Sequence, residues 1–295
     1  IAGYNNTTRA YDSFTGIFEG NGHTIHNLYI NRTDKGYVSL FGQVGSYSTI
    51  RNLNLNGSVI GGSTVAGLIG NAKSYLTIEY NNIDVDLVSN YAGAVLIARM
   101  GGASVIKGNV VQGSVVVEKG YSGGLLGFTG SGNTIEGNLA AVSVSGGIDE
   151  VGGLVCYVYD KKIITANLST GSVTGGTEVG GLIGRLNRDN VLRANYATGQ
   201  LSDTTYVGGL VGISSSTYNN EIHNSYWATD LTAQTNSFKP SNNSHYAGLH
   251  SASLKCATAA NTAAADITCE LPTGGVENID LSLVLYNDWD LHGDT

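Results

Sequence analysis

The chain has 295 residues, of which 42 are Gly and only 2 are Pro, and charged residues make up just 13%. A net charge of −8 with only 15 Lys and Arg argues against nucleic acid as a partner, because phosphate binding needs clustered cations. No apolar stretch approaches the roughly 20 residues that span a bilayer, so no membrane span is expected in this segment. Each Gly inside a helix costs about 1 kcal/mol relative to Ala, and the composition therefore predicts a mostly β chain.

The N-terminal part looks like the start of a repetitive structure. Residue 1 is an Ile within the pattern, without a preceding Met or signal sequence, so we expect a mature piece or a fragment of a larger protein. The segment 14–25 alternates apolar and polar residues around Asn21-Gly22, which predicts a strand, a tight turn and a second strand. Residues 1–35 are predicted to form an N-terminal cap and a first partial coil.

Residues 36–231 repeat a short phrase, seen best in 179–184 (VGGLIG) and 207–212 (VGGLVG). The central aliphatic residue of the phrase recurs at steps of 27 to 30 residues. This period is typical of a solenoid, whose units bury their apolar sides only against their neighbours. The phrase aliphatics form a first column: Leu40, Leu68, Val95, Leu125, Leu154, Leu182 and Leu210.

Two further aliphatic columns complete each unit. The second column is Ile50, Ile78, Ile106, Ile135, Ile164, Leu192 and Ile222, and the third is Val59, Val85, Val115, Val144, Val173, Leu201 and Leu231. Three short apolar segments per unit predict three strands per coil, whereas a helical solenoid would need long stretches free of Gly and β-branched clusters. We therefore predict an all-β fold: a right-handed parallel β-helix of about seven coils, capped at both ends.

Two polar columns fit the same alignment. An Asn follows the second aliphatic by three residues in five coils, at Asn81, Asn109, Asn138, Asn167 and Asn195. Stacked amides can hydrogen-bond from coil to coil, so this column predicts a structural ladder that ends at Ser225. The residue directly after the second aliphatic alternates in charge, at Arg51, Glu79, Lys107 and Glu136, which predicts ion pairs between coils.

The periodicity ends after Leu231, and residues 232–295 are predicted to be a C-terminal cap or a linker. Such a cap would cover the open backbone edges of the last coil. Cys256 and Cys269 flank a Thr/Ala-rich loop, and a disulfide between them would stabilise the fold by about 3 kcal/mol in an oxidising compartment. The alternative is a pair of small unlinked side chains.

The Gly-Gly-Leu-aliphatic-Gly phrase, introduced by the segment 14–25, resembles the GLUG repeat family. The resemblance covers roughly residues 12–231. GLUG repeats occur in large bacterial surface and secreted proteins, including filamentous-haemagglutinin-like adhesins and the non-catalytic regions of some IgA-cleaving metallopeptidases. The resemblance implies a β-solenoid in a secreted or surface protein, and it implies little about activity.

One outward column is a candidate ligand-binding surface. Four residues before the phrase aliphatic, exposed aromatic rings alternate with carboxylates, at Tyr91, Tyr121, Glu150, Glu178 and Tyr206. Sugar rings can stack on such tyrosines while a Glu accepts hydroxyl hydrogen bonds, although aromatic rings in a solenoid can also be ordinary structure.

Three carboxylates in adjacent coils, Asp149, Glu150 and Glu178, could share a Ca²⁺ ion. Glu150 and Glu178 could alternatively form a retaining glycosidase pair if they lie about 5 Å apart. A solvated acidic edge explains the same residues. No other metal, cofactor or catalytic motif is apparent in the sequence.

These observations favour a structural and adhesive β-solenoid segment of a larger bacterial protein, extracellular or at the cell surface and not an enzyme. Its expected partners are host or environmental glycans or surface proteins. One alternative is a polysaccharide-active lyase or hydrolase, by analogy with other parallel β-helices. Another is a subunit of an extracellular fibre that associates end to end through its coils.

Overall fold

The computed structural model describes residues 4–5, 10–202, 206–215, 219–234, 245–249, 267–270 and 276–279. It confirms the predicted class, because the described chain is almost entirely parallel β-structure wound into a solenoid of about 7 turns. A single helical turn, Thr229–Thr232, is the only α-helix in these ranges.

Each coil passes through three sheets, and the first two have seven strands each. Sheet A consists of Tyr37–Val38, Thr64–Ala66, Ala92–Ala94, Tyr121–Gly123, Glu150–Gly152, Glu178–Gly180 and Tyr206–Gly208. Sheet B consists of Phe41–Val44, Ile69–Ala72, Ile97–Met100, Leu126–Thr129, Val155–Asp160, Ile183–Arg188 and Val211–Ser214.

The three strands predicted for each coil correspond to the three sheets. In most coils, however, the strand of sheet C is divided into two segments. Its short segments are Ile17–Glu19, Thr49–Arg51, Thr77–Glu79, Val105–Lys107, Thr134–Glu136, Ile163–Thr165 and Val191–Arg193. Its other segments are Thr24–Arg32, Asn54–Gly61, Asn82–Ser89, Val110–Val117, Leu139–Ser145, Leu168–Ser169, Val173–Thr174, Tyr196–Ala197, Leu201–Ser202, Glu221–Ala228 and His245–Leu249.

Two small antiparallel pairs lie outside the three sheets. Tyr4–Asn5 pairs with Ala10–Tyr11, and Ile267–Glu270 pairs with Val276–Ile279. At the N-terminal end, Ile17–Glu19 and Thr24–Arg32 do not form a hairpin with each other. Each instead pairs in parallel with the next coil, at Thr49–Arg51 and Asn54–Gly61, so both belong to the stack itself.

The repeated phrase turns a corner. In 179–184, Glu178–Gly180 ends a strand of sheet A and Ile183–Arg188 begins a strand of sheet B. Both Leu182 and Ile183 are fully buried because the chain changes direction between the two sheets. A Cβ added to Gly181 would lie 2.3 Å from the carbonyl oxygen of Gly209, so this coil requires Gly at that position.

The second aliphatic column is confirmed: from Ile50 to Ile222, each predicted member is the register partner of the next, and all are buried. The predicted charge column is also in register. Arg51 contacts Glu19 and lies 3.5 Å from Glu79, and Lys107 lies 3.1 Å from Glu136. These pairs are exposed to solvent, which screens them, so they contribute little to stability.

Three column assignments are wrong. Ile97 pairs with Ile69 and Leu126, so Leu96 and not Val95 occupies the phrase corner of its coil. This coil has Ala94-Val95 in place of Gly-Gly, so its sequence shows an aliphatic residue one position before the corner.

In the third column, Leu87 and not Val85 pairs with Val59 and Val115. Leu231 belongs to the helical turn and is 46% exposed, so it does not continue the column. The stack itself continues past that residue, because His245–Leu249 pairs in parallel with Glu221–Ala228. Cys256 lies outside the described residues, and only the backbone of Cys269 is described, so the predicted disulfide stays a prediction.

Two left-handed corners recur in the coils, and each is followed by a residue that points inward. The first corner column has positive φ at Asn52, Tyr80, Gly108, Gly137, Ala166, Ala194 and Asn224. The second has positive φ at Tyr47, Tyr75, Ala103, Gly132, Lys161 and Asp189. This left-handed conformation costs a residue with a Cβ about 1–2 kcal/mol relative to the right-handed one.

The inward residues after the first corner form the predicted Asn ladder. From Asn81 to Asn167, each side-chain amide donates to the side-chain oxygen of the next coil, as in Asn109 to Asn138 at 3.0 Å and Asn138 to Asn167 at 2.9 Å. The same side-chain oxygen also accepts a hydrogen bond from the backbone N–H of the Asn in the preceding coil. The amide nitrogen donates a second hydrogen bond to a backbone carbonyl, for example from Asn138 to Ile106. The ladder is therefore buried without unpaired amides.

A second ladder, which the sequence did not predict, follows the second corner. Its inward residues are Ser48, Leu76, Ser104, Asn133, Lys162, Asn190 and Asn220. Lys162 is only 1% exposed, and its ammonium has one hydrogen bond, to the carbonyl oxygen of Asp160 at 3.4 Å. Burial lowers the pKa of Lys162 to about 7.

Candidate functional site

The candidate column lies at the N-terminal end of the sheet A strands. Glu150, Glu178 and Tyr206 are consecutive register partners, and Tyr121 starts the preceding strand. Four of the five predicted residues therefore lie in successive coils. The structure places Tyr91 elsewhere: Ala92 is the register partner of both Thr64 and Tyr121, because the alignment of this coil was one residue out.

Tyr91 still contributes to the same area. It lies in the turn before sheet A and is 48% exposed, and its ring meets the Tyr121 ring edge to face with centroids 5.6 Å apart. Tyr121 is partly buried, and burial together with the nearby Glu150 raises its pKa to about 12. The two rings form a small aromatic edge, and Tyr206, at 47% exposure, is a separate exposed ring two coils beyond Glu150.

The two carboxylates are buried instead of lining an open platform. Glu150 is 6% and Glu178 is 8% exposed. The guanidinium of Arg185 binds both, at 3.1 Å from Glu150 and 3.0 Å from Glu178. Arg185 comes from sheet B, on the other side of the phrase corner, so sequence spacing did not reveal this partner.

Burial dominates the electrostatics of this pair. It raises the pKa of Glu178 to about 7 and also raises that of Glu150, although Arg185 acts in the opposite direction on both. The Oε2 atom of Glu178 is buried and has no hydrogen-bond partner in the described structure. One cation thus serves two carboxylates, and protonation of Glu178 near neutral pH relieves the excess negative charge.

An aromatic and cationic row on sheet B borders the pair, and the sequence reasoning missed it. Its members lie three residues after the phrase aliphatic: Arg99, Phe128, Tyr157 and Arg185. The Phe128 and Tyr157 rings stack with centroids 5.2 Å apart, and the Arg99 guanidinium lies 5.6 Å from the Phe128 ring centre. Counting three residues on from each phrase aliphatic would have found this row.

The rings of this row stack along the solenoid axis, so most ring area is covered by neighbours. Tyr159 lies beside Tyr157 on the same strand, with its centroid 6.4 Å from that of Tyr157, and Arg188 covers Tyr159 at 5.3 Å. Such stacks and cation–π contacts stabilise the outer surface of sheet B.

The carboxylates of this area do not form a metal cage. Within the described part of the chain, no group of three or more His, Cys, Asp and Glu side chains could hold a metal ion, and this includes Asp149, Glu150 and Glu178. The remaining described cysteine, Cys156, is buried and free, and its thiol donates to the carbonyl oxygen of Glu150 at 3.0 Å. Burial raises the pKa of this thiol well above its usual range.

Comparison with known proteins gave two relatives, each for a short segment. A protein described as a Gly-rich membrane protein of Evansella cellulosilytica is 37% identical over 76 residues, which are 25% of this chain and 9% of that protein. Halomucin of Haloquadratum walsbyi is 39% identical over 72 residues, which are 24% of this chain and 1% of that protein.

The chain thus spans only a small fraction of the length of both relatives. No protein-family model and no solved structure matched the chain. No helix within the described ranges is long and apolar enough to cross a membrane.

Proposed function

We propose that the chain is a rigid structural segment of a larger secreted or cell-surface protein, related to GLUG-type repeats. The observation that carries this proposal is the parallel pairing of each coil with the next, with two inward ladders and a buried aliphatic core. Such an interior fixes the backbone while the outward side chains remain free to differ from coil to coil. The similarity to segments of halomucin and of a Gly-rich membrane protein supports an extracellular or surface location.

Surface exposure can be tested on intact cells of the source organism. Antibodies raised against the purified chain should label unbroken cells, or detect the protein in the medium, while an antibody against a cytosolic protein does not. Labelling that appears only after lysis would contradict the proposal.

Adhesion is the finer part of the proposal, and glycans are the proposed partners. Exposed tyrosines in several outward columns support it, because their rings can stack on sugars. The Tyr121 and Tyr91 edge is one such place, whereas Glu150 and Glu178 are turned toward Arg185. A glycan array probed with the wild-type chain measures this partner class directly.

A polysaccharide-active enzyme is the second candidate, supported by one observation. A carboxyl group with a pKa of about 7, Glu178, beside a second carboxylate is the arrangement that general acid catalysis uses. We expect no product release from neutral or acidic polysaccharides, because Arg185 engages both groups. Turnover that disappears in Glu178→Gln and in Glu150→Gln would establish the enzyme instead.

A further inference from the structure

We propose that the second corner column holds a saccharide-binding slot, bordered by the ring of Tyr75 on one side and by Lys161 on the other. This slot lies between sheets B and C, in a different column from Tyr121 and Glu150. It rests on the proposed adhesive function, and it names the place and the chemistry of one binding site.

The wall of the slot is a stacked tyrosine pair. Tyr47 is 76% and Tyr75 is 54% exposed, and their rings are nearly parallel, 5° apart, with centroids separated by 5.0 Å. The two residues occupy the same corner in successive coils, so their stack runs along the solenoid axis. The ring face of Tyr75 that points away from Tyr47 therefore points toward the next coil.

The next two coils have no large side chain at this corner. Their corner residues are Ala103 and Gly132, and the backbone hydrogen bonds from Tyr75 to Gly102 and from Ala103 to Ser131 fix this order. A Cβ placed on Gly132 would meet no atom closer than 3.9 Å, so the space outside it is open. Three coil steps of about 4.8 Å separate the corners of Tyr75 and Lys161, so roughly 14 Å of axis lies between them with no large corner side chain.

Lys161 closes the far side. It is exposed, it has the same left-handed backbone as Tyr75, and it makes no ion pair within 4.0 Å in the described structure. Asp189 follows it in the column. The slot thus offers an aromatic face at one end and a cationic donor at the other.

Stability alone does not account for the tyrosine pair. Left-handed backbone costs a bulky residue more than the stacking of one ring pair recovers, and Tyr47 remains mostly in water. Tyr80 is also left-handed, but its ring lies against Gly108, where an added Cβ would be 2.6 Å from the ring. Strained, exposed rings without such packing point to a ligand.

The pyranose ring of a saccharide fits this chemistry. Its C–H face can stack on Tyr75, while a hydroxyl or a carboxylate of a neighbouring sugar reaches Lys161. A protein partner would need a broader apolar area than Ala103 and Gly132 provide. Neutral and acidic saccharides share the ring, and the role of Lys161 distinguishes them.

The test uses the full chain titrated with cellotetraose and with tetragalacturonate, followed by calorimetry and by saturation-transfer NMR. Tyr75→Asn removes the ring and places an Asn, which tolerates left-handed backbone, at the corner. Ala103→Tyr fills the slot with a third ring. Tyr75→Asn should not lower the melting temperature, whereas Ala103→Tyr should lower it slightly because Ala103 has left-handed backbone. Both variants should weaken binding at least tenfold.

The controls are Tyr75→Phe, which keeps the ring, and Tyr80→Asn, which alters an equivalent corner outside the slot. Both should bind as the wild type does. Lys161→Gln should weaken only the acidic tetrasaccharide if the ligand is a uronate, and neither if the ligand is neutral.

Three results would overturn the slot. One is binding that Tyr75→Asn and Ala103→Tyr leave unchanged, in which case glycan adhesion stands and uses another column. Another is no binding of either tetrasaccharide by the wild-type chain. The last is a concentration-dependent dimer that Tyr75→Asn dissociates, since the pair would then be a protein contact. Labelling of intact cells judges the surface location independently of all three.

Discussion

The two inward ladders of the solenoid occupy equivalent places, since each follows a left-handed corner, yet they differ in regularity. The first has an Asn in five consecutive coils, Asn81 to Asn195. The second mixes Ser, Leu, Asn and one Lys, and only Asn190 and Asn220 form an amide pair, at 3.1 Å. A side-chain amide is both a hydrogen-bond donor and an acceptor, so amides stacked in successive coils can pair with one another and leave no polar group unpaired.

The difference shows what each ladder tolerates. In the first ladder an amide links backbone on both sides, so a change in one coil affects two neighbours. In the second ladder, the hydroxyl oxygen of Ser104 accepts a hydrogen bond from the backbone N–H of Leu76, whereas the Lys162 side chain has no acceptor atom. The first ladder is thus the stricter structural element, and losing an Asn from it should cost more stability than losing an Asn from the second.

The largest effect is expected for Asn138→Ala in the first ladder. The substitution removes four hydrogen bonds, with the N–H and the amide of Asn109, the carbonyl of Ile106 and the amide of Asn167. At about 1 kcal/mol for each buried bond, the free energy of unfolding should fall by about 4 kcal/mol. Urea denaturation followed by far-UV circular dichroism measures the change.

Asn133→Ala is the matched control in the second ladder. Asn133 makes three hydrogen bonds, all with backbone groups, and has no amide partner in the next coil. Asn133→Ala should therefore lower the free energy of unfolding by less than Asn138→Ala does. Equal losses would mean that the amide-to-amide bonds add nothing to the first ladder.

Lys162→Asn should stabilise the fold, because it replaces a buried cation with the side chain of the neighbouring coils. At pH 7 we expect a gain of about 2 kcal/mol, since one pKa unit is worth about 1.4 kcal/mol and the void left by the shorter side chain offsets part of the gain.

The pH dependence gives the sign of this effect. The pKa of Lys162 is about 7 in the fold and 10.5 in an unfolded chain. The unfolded chain therefore binds the extra proton between these values, and wild-type stability should rise from pH 7 to 10.5. Lys162→Asn should lack this rise; a variant that keeps it would show that another group is responsible.

A smaller effect is expected at Glu178, a buried charge that belongs to neither ladder. Its pKa is about 7 in the fold and 4.5 in an unfolded chain, so the contribution of Glu178 to wild-type stability should fall as the pH rises from 4.5 to 7. Glu178→Gln should remove this fall and gain about 1 kcal/mol at pH 7.5, because the lost ion pair with Arg185 offsets part of the benefit. Thermal melts of both proteins across this pH range give the comparison. If stability falls with pH equally steeply in Glu178→Gln, a group other than Glu178 causes the fall.

The sequence was sufficient for the features that repeat identically. The Ile50 column is aliphatic in every coil, the ladder has Asn in five consecutive coils, and the Arg51 column alternates in charge over four coils, so their period could be read directly. The errors fall where one coil departs from the pattern. Val95 and Tyr91 were one residue out because Ala94-Val95 replaces the Gly-Gly corner, and Val85 was chosen although Leu87 also points inward.

The candidate site was harder to predict because it depends on contacts across a corner. Glu150 and Glu178 belong to sheet A and Arg185 to sheet B, and only the bend at Gly181 and Leu182 brings them together. The Tyr47 and Tyr75 pair was not predicted either, because left-handed backbone at a tyrosine has no sequence signal.

The in-register stacking of successive coils can be measured directly by a cysteine cross-link. The hydroxyl oxygens of Ser143 and Ser172, in neighbouring coils, lie 3.3 Å apart on the surface. Ser143→Cys combined with Ser172→Cys should therefore form an intramolecular disulfide under mild oxidation, identified by peptide mass. Ser143→Cys with Thr170→Cys, two residues out of register, should not. A disulfide in the second pair, or none in the first, would contradict the parallel solenoid.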